Sequence, residues 1–176
     1  MILRMSRRQN NKWWLGTFLI VWMLPLSSCG VYSFSGATIE GKTINIHVLE
    51  NRAQNINPAL IPTLTNKIKT RILSQTGLAS RNNDEVDYDM TGIIKNYSYT
   101  VSGVTNTQQA SQNRLTIEVE ITFKNKLNEK ANFTQTFTRF ADFPSSQTLQ
   151  AVEAQLIDDL GTQLADDIFN KAFVNW

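Results

Sequence analysis

The chain predicts an α+β fold: a mostly antiparallel sheet of about four strands, with two helices packed on one face, in the order β-α-β-β-β-α. Three observations predict it. Residues 113–126 alternate, with Leu115, Ile117, Val119, Ile121 and Phe123 on one side and Thr116, Glu118, Glu120, Thr122 and Lys124 on the other. That is the period of a half-buried strand. Two stretches, one from Leu60 and one from Leu149, instead repeat apolar residues at helical spacing. Shorter alternating runs, bounded by Asn, Asp and Gly, fill the space between them.

In chain order, a leader comes first. Arg4, Arg7, Arg8 and Lys12 precede Trp13 to Leu26, an uncharged and mostly apolar stretch of 14 residues. This is signal-peptide length and falls short of the ~20 residues that span a bilayer. Leu26-Ser27-Ser28-Cys29 then has the form of a lipobox: a branched apolar residue, two small ones and a cysteine. Cleavage is expected between Ser28 and Cys29, with lipid on the Cys29 sulfur, whose thiolate is the strong nucleophile there. Cys29 is the single cysteine, so no intramolecular disulfide can use it. The expected organisation is a removed signal peptide (1–28), a lipidated tether (29–42) and one domain (43–176). The leader holds 4 of the 17 basic residues and none of the 15 acidic ones, so the formal charge passes from +2 to −2 on its removal. That balance gives no support for nucleic-acid binding.

Thr43 to Leu49 alternates, with Ile44, Ile46 and Val48 on one face of a strand. Asn57 is expected to cap a helix with Pro58 at its first position. Leu60, Ile61, Leu64, Ile68 and Ile72 form its inner stripe, Lys67, Lys69 and Arg71 lie late in it, where cations suit the dipole, and Gly77 stops it. A turn at Asn82-Asn83-Asp84 leads to a long strand from Val86 to Val101. Tyr88 and Met90 share one phase, and Tyr97, Tyr99 and Val101 share the other, so a bulge is expected near Gly92-Ile93-Ile94. Ser102 to Gln112, polar and uncharged, reads as a mobile loop. After the strand 113–126, a turn at Asn125 to Glu129 leads to a partner strand from Asn132 to Phe140. A long helix follows, from Ser145 or Ser146 to about Val174, with Leu149, Val152, Leu156, Leu160, Leu164, Ile168 and Ala172 inside and Asp158, Asp159, Asp166 and Asp167 mostly outside. The first two strands can pair in parallel, because a helix connects them.

Residues that could carry chemistry are few. His47, the single histidine, is out of phase with Ile46 and Val48 and is expected to face solvent or a partner. No nucleophile elbow, Cys/His metal cluster or glycine-rich phosphate loop accompanies it. Glu118 and Glu120 share a strand face, where two acids could serve a glycosidase-like reaction, although a solvated face explains them more cheaply. Arg114 and Arg139 stand beside strand ends, and Lys124, Lys126 and Lys130 surround a turn. Such a positive tip could meet a phosphorylated glycolipid. Phe169, Phe173 and Trp176 read as packing residues, or as part of an interface.

Three groups of residues carry a resemblance to a known family. They are Ser28-Cys29-Gly30-Val31-Tyr32-Ser33-Phe34-Ser35-Gly36, then Asn113-Arg114-Leu115-Thr116-Ile117, then Arg139-Phe140-Ala141-Asp142-Phe143 with Asp166-Asp167-Ile168-Phe169-Asn170-Lys171-Ala172. With the element order, they make the chain resemble the lipopolysaccharide-assembly lipoproteins of the LptE family, in their Bacteroidetes-type branch. The resemblance implies no enzymatic activity and no cofactor beyond the covalent lipid on Cys29. It implies a plug inside the outer-membrane β-barrel LptD, assisting that barrel's assembly and the delivery of lipopolysaccharide to the outer leaflet. It implies contact residues that are basic, with Arg114, Lys124 and Arg139 as candidates for contact with lipopolysaccharide or barrel. Gly30 is not the Asp that retains enteric-type lipoproteins in the inner membrane, and no acidic run follows Cys29. Both agree with an anchor in the outer membrane, facing the periplasm, with the domain inside the barrel lumen. Two other readings stand beside this one: a free periplasmic lipoprotein that binds lipid or glycan, and an envelope hydrolase using Glu118 and Glu120.

Overall fold

The computed structural model describes residues 39–104 and 110–174. Six strands form one sheet: β1 (Thr43–Ile46), β2 (Glu50–Asn51), β3 (Ala79–Ser80), β4 (Tyr88–Val104), β5 (Ala110–Asn125) and β6 (Phe133–Pro144). Two helices, α1 (Leu60–Thr76) and α2 (Leu149–Phe173), cover one face. The sheet order is β3-β1-β4-β5-β6, with β2 also pairing with β4. The three long strands form an antiparallel meander, while β1, β2 and β3 add in parallel. The α+β class and the two-helix layer are as the sequence predicts. The sheet also holds β2 and β3, two residues each, too short for any periodicity to register.

The core lies between sheet and helices. Leu115, Ile117, Val119, Ile121 and Phe123 are fully buried, as the alternation of β5 requires, beneath Leu60, Leu64, Ile68, Ile72, Leu160, Leu164 and Ile168. An aromatic cluster closes one end. Phe173 meets Tyr88 and Phe123 edge-on at 5.5 and 5.4 Å, and Phe123 stacks on Tyr88 and Phe133. Phe169 stacks on Phe173. Trp176 and residues 1–38, including Ser28, Cys29 and most of the expected tether, lie outside the described residues.

Several boundaries differ from expectation, each for a physical reason. The first strand ends at Ile46, and Val48 is 69% exposed. Leu49 takes the core position instead, its N–H donating to Thr65 Oγ1 at 3.2 Å. Asn57 and Pro58 do not begin α1. Pro62 decides this, because its ring would collide with the carbonyl four residues earlier if Pro58 were helical. Starting at Leu60 places Pro62 in the first turn, where no N–H is needed. Asn57 Oδ1 accepts the Ala59 N–H at 2.8 Å in a turn before the helix.

Lys67 and Arg71 do not serve the helix dipole, since the last turn of α1 has no basic residue. They pair across to Asp158 and Asp166 of α2, at 2.7 and 2.8 Å, so those aspartates bridge the helices.

The bulge in β4 falls between Ile94 and Asn96, just after the triplet expected to hold it. Gly92 serves packing: a Cβ there would meet Leu49 and lie 2.8 Å from Ile121 Cδ1. The polar stretch 102–112 is not all loop. Pairing continues to Val104↔Ala110, so β4 and β5 extend into it, and residues 105–109 lie outside the described residues. A ladder needs backbone groups, not apolar side chains, which is why periodicity is silent there. Tyr99 and Val101 are 48% and 58% exposed, which places the end of the helix cover near Tyr97.

β6 runs on past Phe140 to Pro144, because Phe143 is buried and stacks on Tyr99 at 6.0 Å. The residues after Pro144 then turn the chain, so α2 starts at Leu149 rather than Ser145. The upper part of its expected stripe, Leu149, Val152 and Leu156, is only partly buried, while Ile157, Gly161 and Ala165 join the core.

Candidate functional site

The face of the sheet without helices is the largest feature the fold leaves unexplained by its own core. The pairing register defines its members. On β5 they are Arg114, Thr116, Glu118, Glu120, Thr122 and Lys124; opposite them on β6 stand Asp142, Phe140, Thr138, Thr136 and Thr134. On β4 the row is Thr100, Ser98, Asn96, Ile93, Thr91 and Asp89. Seven threonines lie in these three rows. Their branched side chains suit a pleated surface, and their hydroxyls keep it wettable. Thr122 and Thr134 bond hydroxyl to hydroxyl across the strands at 3.0 Å.

The candidate basic residues are not brought together. Arg114 and Lys124 share this face but stand ten residues apart on one strand, about 33 Å. Arg114 is held bidentately by Asp142, at 2.7 and 2.8 Å, and its guanidinium lies 3.8 Å from the centroid of the Phe140 ring. The Asp142 hydrogen bonds raise its pKa. Arg139 points to the opposite, helix-bearing side. It binds Asp167 of α2 bidentately, at 2.6 Å to each oxygen, and thereby ties the edge strand to the helix. Sequence spacing alone cannot find either aspartate, since each is 28 residues away along the chain.

His47 is half-exposed rather than free in solvent. Its Nε2 lies 2.8 Å from Asp89 Oδ1 and 3.1 Å from Asn45 Nδ2. A cleft of about 410 Å³ adjoins it, lined by Asn45, Thr65, Asn66, Lys69, Asn82 and Asp84 among others. Tyr97 donates to Glu153 where α2 meets β4. Burial first, and then that bond, push the phenol pKa far above its usual value. Glu118 and Glu120 lie side by side on the polar face, with Glu120 3.7 Å from Lys95 Nζ. Among the described residues no group of three His, Cys, Asp or Glu side chains could hold a metal ion, and no helix is long and apolar enough to cross a membrane.

These features define a class: an α+β domain with a packed core and a broad polar sheet face, its elements joined by ion pairs. The comparisons give the class its name. The family model for lipopolysaccharide assembly, LptE, matches residues 41–172, and the chain belongs to that family. The family is non-enzymatic and consists of cell-envelope lipoproteins that serve lipopolysaccharide assembly. Glu118 and Glu120 are therefore not a hydrolase pair.

Solved structures with a similar fold include a hypothetical protein from Chlamydia trachomatis, at 9% identity and TM-score 0.52, covering 76% of this chain and 98% of that one. A lipoprotein B from Nitrosomonas europaea is similar at 13% identity and TM-score 0.50, covering 74% and 81%. The rare lipoprotein B from Shewanella oneidensis aligns at 15% identity and TM-score 0.49, covering 73% and 91%. No curated protein matches the chain.

Proposed function

We propose that the chain is an outer-membrane lipoprotein that fills the lumen of the LptD β-barrel and assists its assembly for lipopolysaccharide transport to the outer leaflet. In this reading residues 1–28 are removed, Cys29 carries the lipid, and the domain faces the periplasm inside the barrel wall. The observation that carries it is the helix-free sheet face. A barrel lumen is wet, and a plug must present a surface that bonds to water and to polar wall residues alike. Seven threonines across three strands, with Arg114–Asp142, Lys95–Glu120 and His47–Asp89 paired, meet that requirement. On that face Lys124 has no carboxylate within ion-pair distance among the described residues and is the cation offered to lipopolysaccharide phosphates, while Lys95 stands by Glu120 and Arg114 would have to leave Asp142 to reach one. Arg139, locked to Asp167, acts in holding β6 and is not needed as a free contact.

The test is purification of the lipidated chain from detergent-solubilised outer membrane. A large β-barrel in equal amount is the expected companion. Deletion of the gene is expected to leave the barrel misassembled and the cell permeable to large antibiotics. Normal barrel levels with an intact barrier would refute the reading.

A further inference from the structure

Among the described residues the two lateral edges of the sheet are unlike. One is β3, two residues long, too short to template another strand. The other is β6, twelve residues long, in unbroken register with β5 from Gln112↔Pro144 to Phe123↔Phe133. Proteins blunt exposed edges with short strands, bulges, lysines, prolines or inward-pointing charges, and the one inward charge of β6, Arg139, is neutralised by Asp167. Within β6 there is no lysine, its pairing has no bulge, and its proline is the last residue.

The direction of its backbone groups follows from the ladder. Lys126 N–H donates to Asp87 on the β4 side, and Asn125 N–H donates to Asn132 on the β6 side. Backbone groups alternate along a strand, so odd-numbered β5 residues face β6 and even-numbered ones face β4. The odd-to-odd register then turns odd residues of β6 inward, and leaves the N–H and C=O groups of Thr134, Thr136, Thr138 and Phe140 directed outward. On β4, the Met90 and Ile94 carbonyls accept from His47 and Arg52, away from β5, which agrees.

Beside this edge an open cleft of about 440 Å³ separates β6 from α2, lined by Gln135, Phe137, Arg139, Asp167, Asn170 and Lys171 among others. Asp167 is engaged by Arg139 and Asp166 by Arg71. Lys171 Nζ rests 5.6 Å from the centroid of the Phe133 ring and has no carboxylate partner among the described residues.

We propose that the outward edge of β6 takes up an extended segment of the partner barrel as an added strand, with an acidic side chain of that segment reaching Lys171. The inference rests on the plug reading above. A row of outward N–H and C=O groups is satisfied in kind by an extended backbone, and side-chain pockets beside the edge set which segment fits. The unpaired ammonium sets the charge of the occupant. It also argues against edge-to-edge pairing with the β6 of a second copy, because the one acidic residue of that strand, Asp142, is held by Arg114.

The test uses the full-length chain in its own cell. Proline at Thr136 and Thr138 removes two outward N–H groups and leaves the β5 ladder intact, a placement edge strands tolerate. The double variant is expected to recover about tenfold less barrel, and Thr136→Val, which keeps its N–H, to recover as much as the parent. Lys171→Glu is expected to lower recovery as well. A photo-crosslinking amino acid at position 138 of the otherwise native chain covers the case in which the proline variant does not fold. It is expected to capture one barrel segment. Undiminished recovery by a folded double-proline variant, or crosslinking only to a second copy or to nothing, would overturn the edge proposal and leave the plug reading standing. Absence of any barrel with the parent chain would instead sink the plug reading, and this inference with it.

Discussion

Asp87 shows how one carboxylate can hold the entrance to a sheet. Its Oδ2 accepts the Lys42 N–H at 2.7 Å, the Thr43 N–H at 3.0 Å and the Thr43 hydroxyl at 3.0 Å, while the Asp87 N–H returns a bond to Thr43 Oγ1. The Lys42 N–H bond is the largest cause holding the carboxyl below its ordinary value of 3.8; the Thr43 bonds add to it, and partial burial opposes it. A folded-state pKa that is depressed contributes stability above the unfolded value and loses it as pH falls through the folded one. The window therefore lies below about pH 3.9. Asp87→Asn is expected to lose stability less steeply than the parent in that window. Urea midpoints taken stepwise from pH 5 downward check this, and parallel slopes for the two proteins would exclude the role. Nothing in the sequence marks Asp87, because its partners lie more than 40 residues upstream.

At the scale of elements, β4 carries the most demanding geometry. It pairs with β1 and β2 on one side and β5 on the other, and its bulge resets which residues face the core. Met90 and Ile94 are buried before the bulge and Tyr97 after it, so an even phase becomes odd. Gly92 lies under Leu49, with Ile121 on the neighbouring strand. Gly92→Ala is expected to destabilise by about 1–3 kcal/mol, since the added methyl has no space and both neighbours are core side chains. A lowered urea midpoint at unchanged m-value would bear this out; an unchanged midpoint would show that Leu49 can move aside. The phase slip in β4 is legible in the sequence, where Met90 and Tyr97 cannot share a face without an extra residue. The true length of β6 is not. Arg139 points inward and Phe140 outward, against hydrophobicity, because Asp167 neutralises the one and the Arg114 guanidinium covers the other.

At the scale of the domain, one layer of helix lies on one layer of sheet, and among the described residues the fully buried apolar side chains belong to a single cluster. Lys67–Asp158 and Arg71–Asp166 stitch the two helices together, and Arg139–Asp167 stitches the second helix to the sheet edge. A shared core of this kind unfolds as a unit. Residues 36–176 are expected to unfold in urea in one transition, with far-UV circular dichroism and the near-UV signal of the Tyr88–Phe123–Phe173 cluster coinciding. Two separated transitions would mean that the helices come off before the sheet. Among the described residues the same layering leaves the other sheet face without helices, and that is the face on which the proposed function rests.

The sequence by itself determined the class of the fold, the inward face of β5, the two helices and the family, because those features follow from the period of apolar residues and from local motifs. It determined the polar outward face of β5 for the same reason. Only the tertiary structure decided the parallel additions of β2 and β3, the β4–β5 pairing beyond Val101, the partners of Arg114 and Arg139, and which edge of the sheet stays open. Each of these depends on backbone hydrogen bonds or ion pairs between residues far apart in the chain, and no local periodicity records such distances.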